Sequence, residues 1–339
     1  MVGFSILLAA VTVAFPGAQP QLAAFGNRLY LAFGQGNVIS VAESTNGGGT
    51  FGAPSPLPVP GKMSLGMHRG PRIAATSNAV LVAAVAGAQG GGADGDVLLF
   101  RSTDRGRTWT APITVNDVPG SAREGLHALA ANPSGVVVVA WLDLREKGTR
   151  IYAALSRDHG ATWTPDTLVY ASPSGAVCEC CHPSAAISTD GGVVIMFRNS
   201  LAGQRDMYLA ESKDGVTFSP ARKLGTGSWT LNACPMDGGA IAFNAEGVVS
   251  TWRREGDVFL ATDRVPERRL GAGRDPVVAQ FQNHQDVAWS APDGVVLERG
   301  GGVLTKLGPG RFPALVSMRD HTVVAWEHDG QVTVRAVPR

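Results

Sequence analysis

The chain has 339 residues, of which 44% are hydrophobic, 17% charged and 43 are glycine, with a formal net charge of +1. Average chains carry roughly 25% charge and about 7% glycine, so this one is charge-poor and turn-rich. That excludes a disordered chain, which could not bury enough apolar surface, a coiled coil, and a nucleic-acid binder with its basic excess.

Residues 4–15 form an apolar run of signal-peptide length with no basic residue before it. Val11, Val13 and Phe15 also alternate as a strand would. No later run approaches the ~18 apolar residues of a membrane-spanning helix, so no integral membrane segment is expected.

Further along, one pattern recurs. Ser44, Asn46, Gly48, Thr50 and Phe51 match Ser102, Asp104, Gly106, Thr108 and Trp109. They match again at Ser156, Asp158, Gly160, Thr162 and Trp163, and in shortened form at Ser212, Asp214, Gly215, Thr217 and Phe218. The copies start about 55 residues apart, near the period of one propeller blade. The pattern has physical content: the Asp bonds its own turn backbone, the Gly takes a positive φ, and the aromatic packs beneath the turn.

These are Asp boxes, and the chain resembles the sialidase (neuraminidase) superfamily of Asp-box β-propellers. The resemblance implies an all-β propeller of four-stranded blades spanning residues 1–339 as one domain. In the third repeat the strands are expected at 126–131, 136–141, 151–155 and 164–170. The same frame continues without boxes through a fifth, sixth and seventh repeat, so seven blades are expected, with six as the alternative. The seventh stops before its outermost strand. A ring leaves no unpaired edge only if closed, so an N-terminal strand within residues 1–15 is expected to complete the last blade; a remnant signal segment is the alternative.

The loops leading into blades 2–5 share one face, opposite the boxes, at the tunnel mouth, where propeller function usually sits. They hold all four cysteines (Cys178, Cys180, Cys181, Cys234), together with His68, His127, His182, Met63, Met67 and Met236. Thiolates, thioethers and imidazoles select thiophilic metals. The spacing is unlike the paired C-x2-C of zinc sites, so copper is favoured, with zinc as the second choice. The expected ligands are Cys178, Cys180, Cys181 and Cys234, assisted by His182, His68 or His127. Two other readings stay open: disulfides from Cys178 or Cys181 to Cys234, and a redox or catalytic thiol.

If the resemblance extends to activity, it implies an exo-sialidase or related glycoside hydrolase, whose substrate carboxylate is held by three arginines. Arg72, in a Pro-Arg-Ile-Ala context, is the nearest match to the first; Arg198 and Arg253 are offered as the others. None of the four tyrosines sits in a recognisable nucleophile context. The reading is therefore an exported, secreted or periplasmic, monomeric propeller. It carries a metal site and a tunnel mouth open to a small molecule, peptide or glycan, either as a metal-dependent or glycoside-cleaving enzyme or as a disulfide-stapled binding scaffold.

Overall fold

The computed structural model describes residues 12–339 except 245, 283 and 301, and except the side chain at 124. The described residues form seven antiparallel sheets and no helix. Residues 1–11, on which most of the signal-segment alternative falls, lie outside the described residues. No helix among the described residues is long and apolar enough to cross a membrane.

Each sheet is one blade with its strands in chain order. The innermost strands are Ala18–Phe25, Arg72–Ala75, Ala122–Ala131, Ser184–Ile187, Gly239–Asn244, Arg274–Phe281 and Arg311–Ser317. Each packs on the next, and the last packs on the first, which makes a ring of seven. Blade 2 carries an extra two-residue strand, Lys62–Met63, beside Val80–Gly87.

The ring closes through Thr12–Pro16, which takes the outermost position of blade 7 and pairs Phe15 with Val332 and Val13 with Val334. Phe15 stacks on Phe33 of blade 1 at 5.5 Å. The otherwise exposed edge of Gln331–Pro338 is thereby paired, which removes an aggregation-prone template.

Strand periodicity explains why the sequence is apolar in runs. In Val80–Gly87, Val80, Val82 and Ala84 face blade 1, whereas Leu81, Ala83 and Val85 face blade 3. Such a strand is buried on both sides and needs no polar face. Seven apolar clusters result, one between each pair of neighbouring blades. Each buried Val, Leu or Phe contributes roughly 1.5–3 kcal/mol.

The Asp boxes close blades 1–4 as turns between the third and fourth strands. In blade 2, Asp104 Oδ1 accepts from Ser102 Oγ and from the backbone N–H of Arg107 and Thr108, and Oδ2 accepts from Thr108 Oγ1. Asp158 repeats this set. Gly106 and Gly160 have φ near +80°, where a side chain would be strained.

Candidate functional site

The turns opposite the boxes surround an open cleft of about 800 Å³. Its walls come from loops leading into blades 5, 6 and 7 and from the turns after the second strands of blades 5 and 6, with Trp229, Met236, Arg253, Arg274, Arg311 and Phe312 prominent. A narrower cavity of about 160 Å³ runs inward along the axis past His68, Arg72, His182 and Phe312. Box residues line pockets on the other face.

Three of the four predicted thiol ligands converge. Cys178, Cys180 and Cys181 have their Sγ atoms within 4.8 Å of one another. Cys178 Sγ lies 3.7 Å from Cys180 Sγ and 3.5 Å from Cys181 Sγ. A disulfide would need about 2.05 Å, and all four cysteines are free thiols in the structure. The three are buried at 1, 8 and 1% exposure, with Met236 packed against them. Cys234 is exposed and lines the cleft beside Met236.

The thiols hold their protons tightly. The hydrogen bond with Cys180, together with burial, raises Cys178 to about 11. Burial, then the hydrogen bond with Cys178, raises Cys181 to about 12. The hydrogen bond with Cys178 lowers Cys180, but bonding to Cys181, burial and contact with Cys234 outweigh it and leave its thiol raised. A nucleophilic cysteine needs the opposite, a depressed value that supplies thiolate at neutral pH.

The predicted histidines do not join the thiols. His68 and His182 stack on each other at 4.3 Å, and Phe312 meets His68 edge-on at 4.9 Å. His68 Nε2 lies 2.9 Å from Asp275 Oδ1. His68, Asp237 and Asp275 form a second group whose ligand atoms lie within 4.8 Å of one another. Asp237 and Asp275 are 0 and 2% exposed. Burial, then the neighbouring Asp275 charge, pushes the Asp237 carboxyl up. Burial would also raise Asp275, but the His68 hydrogen bond and the Arg274 charge hold it below the usual range. Burial, then the His68 and Arg72 charges, drives His182 well below its ordinary value. His127 lies apart from both groups. It is buried, its Nδ1 is 3.3 Å from Gly125 O, and burial followed by the Arg72 charge lowers it to about 3.

The three predicted arginines divide. Arg72 is buried and donates to the backbone carbonyls of His127, Pro71 and His68; burial lowers it to about 10. Arg198 is 1% exposed and donates to the carbonyls of Asp237, Arg205 and Arg253. Both guanidiniums are thus committed to holding loops. Arg253 alone of the three lines the cleft, its guanidinium 5.2 Å above the Trp229 ring and 4.0 Å from Asp237 Oδ2. The cleft's other arginines, Arg274 and Arg311, were not predicted. Tyr170 accepts a hydrogen bond from Asn199 at 2.9 Å, and Tyr152 lies under Arg145; no tyrosine lines the cleft or the axial cavity.

A sequence signal for the missed residues exists. Gln19-Pro20, Asp275-Pro276 and Phe312-Pro313 sit at equivalent places in blades 1, 6 and 7, with φ of 54, 55 and 52° at the residue before proline. Each follows a glycine two residues earlier, Gly17, Gly273 or Gly310, also at positive φ. A Cβ on these glycines would run into Phe33, Trp289 or Trp326. The Gly-x-x-Pro motif therefore packs its glycine on an aromatic of the second strand and turns the next residues toward the mouth. Gln19 and Phe312 line the axial cavity and Asp275 the cleft.

Residues 67–320 match the family described as the BNR repeat-like domain. A comparison with curated proteins finds no match. Among solved structures, the chain is similar to a Penicillium chrysogenum alpha-L-arabinanase complexed with arabinobiose, at 12% identity over 95% of this chain and 93% of that one (TM-score 0.59). It is similar to the Hadza microbial sialidase Hz136 at 14% identity over 92% and 73% (TM-score 0.54). It is also similar to a polysaccharide lyase of family PL25, an ulvan lyase, at 10% identity over 95% and 94% (TM-score 0.58). At these identities the likeness is one of fold, and fold does not transfer activity. The family match spans blades 2 to 6 and reaches into blade 7, and the Asp-box geometry recurs within it, so the chain belongs to the BNR repeat-like domain family.

Proposed function

We propose that the protein binds a thiophilic metal ion at Cys178, Cys180 and Cys181, copper(I) in preference to zinc. The observation that carries this reading is the sulfur spacing of 3.5 and 3.7 Å. A tetrahedral ion with metal–sulfur bonds of about 2.3 Å sets its sulfurs about 3.8 Å apart. The buried thiols need only small adjustments to reach that spacing. Thiolates are soft ligands that suit copper(I) and zinc, and the Met236 thioether against the cluster tips the balance toward copper. Cys234 is exposed in the cleft and in contact with Cys180, which supports it as a fourth ligand.

The test is anaerobic loading of reduced protein with copper(I) against a chromophoric chelator. One copper per chain is expected, lost in a Cys178→Ser, Cys181→Ser double variant that keeps its β-sheet circular dichroism. Binding that is absent, or unchanged in that variant, overturns the reading.

A second reading rests on a different observation, the cleft lined by Arg253, Arg274 and Arg311 with Trp229 and Phe312. Arginine forks pair with carboxylates and sulfates, and aromatic faces suit sugar rings. This supports an anionic glycan as ligand, and the arabinanase, sialidase and lyase folds above accord with it. Incubation with fluorogenic sialosides and arabinosides tests it as an enzyme; no turnover, together with glycan retention no greater on wild type than on Arg274→Ala, removes it.

A further inference from the structure

The cluster of His68, Asp237 and Asp275 is left unexplained by either reading. We infer that it is a second cation site, with nitrogen and oxygen donors, for a hard or borderline divalent ion such as manganese or zinc. It does not depend on the thiol site.

Three observations carry this. First, two carboxylates and an imidazole bring their ligand atoms within 4.8 Å in a nearly dry place. Second, the buried oxygens Asp237 Oδ1 and Asp275 Oδ2 have no hydrogen-bond partner among the described residues, nor has His182 Nδ1 beside them. The arginines do not answer this need: Arg274 reaches Asp275 Oδ1 at 3.2 Å, and Arg253 approaches Asp237 Oδ2 at 4.0 Å. Asp237 Oδ2 also accepts from the Asp275 N–H. The satisfied oxygens are therefore the other two, and a buried polar atom without a partner calls for an explanation, an ion among them. Third, His68 Nε2 and Asp275 Oδ1 stand 2.9 Å apart. Adjacent ligands of an octahedral ion with bonds of about 2.1 Å stand about 3.0 Å apart, so an ion can replace the shared proton with little movement. That proton leaves to solvent.

The donor chemistry separates this site from the thiols. Carboxylate and imidazole suit manganese and zinc, whereas thiolates select softer ions. The fold keeps the two sites side by side. Cys181 and Met236 turn to the thiol cluster, while the residues that follow them, His182 and Asp237, turn to the axis. His68 leads into blade 2, Asp237 into blade 5 and Asp275 into blade 6. An ion here would tie three blades together across the tunnel.

Manganese(II) is the probe, because it favours oxygen donors and is visible by electron paramagnetic resonance. Titration of the full chain, thiols reduced, is expected to show one bound manganese and a rise in melting temperature. Asp237→Asn and Asp275→Asn should each weaken binding at least about tenfold. Cys178→Ser with Cys181→Ser should leave manganese binding unchanged, so failure of the thiol reading and failure of this one are told apart. If the aspartate variants do not fold, His68→Gln, whose amide can still bond Asp275, is expected to show the same loss. Absence of manganese binding to wild type, or equal binding by the folded variants, overturns the inference.

Discussion

The two faces of the ring are made from the same four-stranded repeat, yet they treat buried and turn-bound polar groups in opposite ways. On the box face, the Asp104 and Asp158 carboxylates each accept from both hydroxyls and backbone donors of their own turn. Those turns satisfy their own carboxylates. On the mouth face, two buried arginines are spent on carbonyls, three buried thiols bond one another, and two buried carboxylates each keep a bare oxygen. The box face satisfies its carboxylates from within its own turns. The mouth face is rigid in its frame and unfinished at its centre, which is the arrangement a ligand site needs.

The largest effect expected from disturbing this contrast is at Arg198. Replacing it with Met leaves the carbonyls of Asp237, Arg205 and Arg253 without their donor. Each buried group so orphaned costs about 1–3 kcal/mol, so a loss of at least about 3 kcal/mol is expected in urea unfolding. Arg253→Met, at the cleft wall, should change stability by no more than about 0.5 kcal/mol while weakening any anionic ligand. Equal stability of the two variants would mean that the loop frame is held otherwise.

Next in size is the pH dependence of the metal binding proposed at the thiols. Their values are raised, to about 11 at Cys178 and about 12 at Cys181, so at neutral pH the ion must displace protons. Apparent affinity should then rise with pH, about tenfold per pH unit for each thiol displaced. Chelator competition at a series of pH values between 6 and 8 measures the slope. A flat profile would mean that the ion is held without thiolates.

The contrast between faces also explains what the sequence discloses. A box is local: Ser102 to Trp109 makes its bonds within eight consecutive residues, so pattern alone locates the turn and counts the blade. The closing strand was legible because an unpaired edge at Gln331–Pro338 requires a partner, and Thr12–Pro16 supplies it. The cysteines were legible because the residue type is rare and three fall together. Asp237 and Asp275 were not. Aspartate is common, and these two meet His68 only because the ring brings blades 2, 5 and 6 to one axis. The roles of Arg72 and Arg198 were hidden for a related reason. Only the folded loops reveal that their partners are backbone carbonyls, and no side-chain motif encodes that.

The smallest expected effect lies on the box face, and blade 1 provides its control. Hydrogen bonds from Thr108 hold Asp104 at about 2, and those from Thr162 hold Asp158 at about 2; the backbone N–H of Thr217 lowers Asp214 further. A carboxyl lowered on folding contributes stability above its unfolded value, near 4, and loses it as pH falls through the folded value. These boxes should therefore weaken between about pH 4 and about pH 2. In blade 1 the same place is held by Asn46, whose Oδ1 accepts from Ser44 and from the Thr50 N–H without any charge to titrate. An Asp104→Asn, Asp158→Asn, Asp214→Asn variant should thus keep its turns at pH 7 and lose part of the acid slope in melting temperature. Thermal melts from pH 5 to 2 decide it. If the slope is unchanged, acid sensitivity belongs to other carboxyls held low on folding, among them Asp275, whose protonation would remove the charge facing His68.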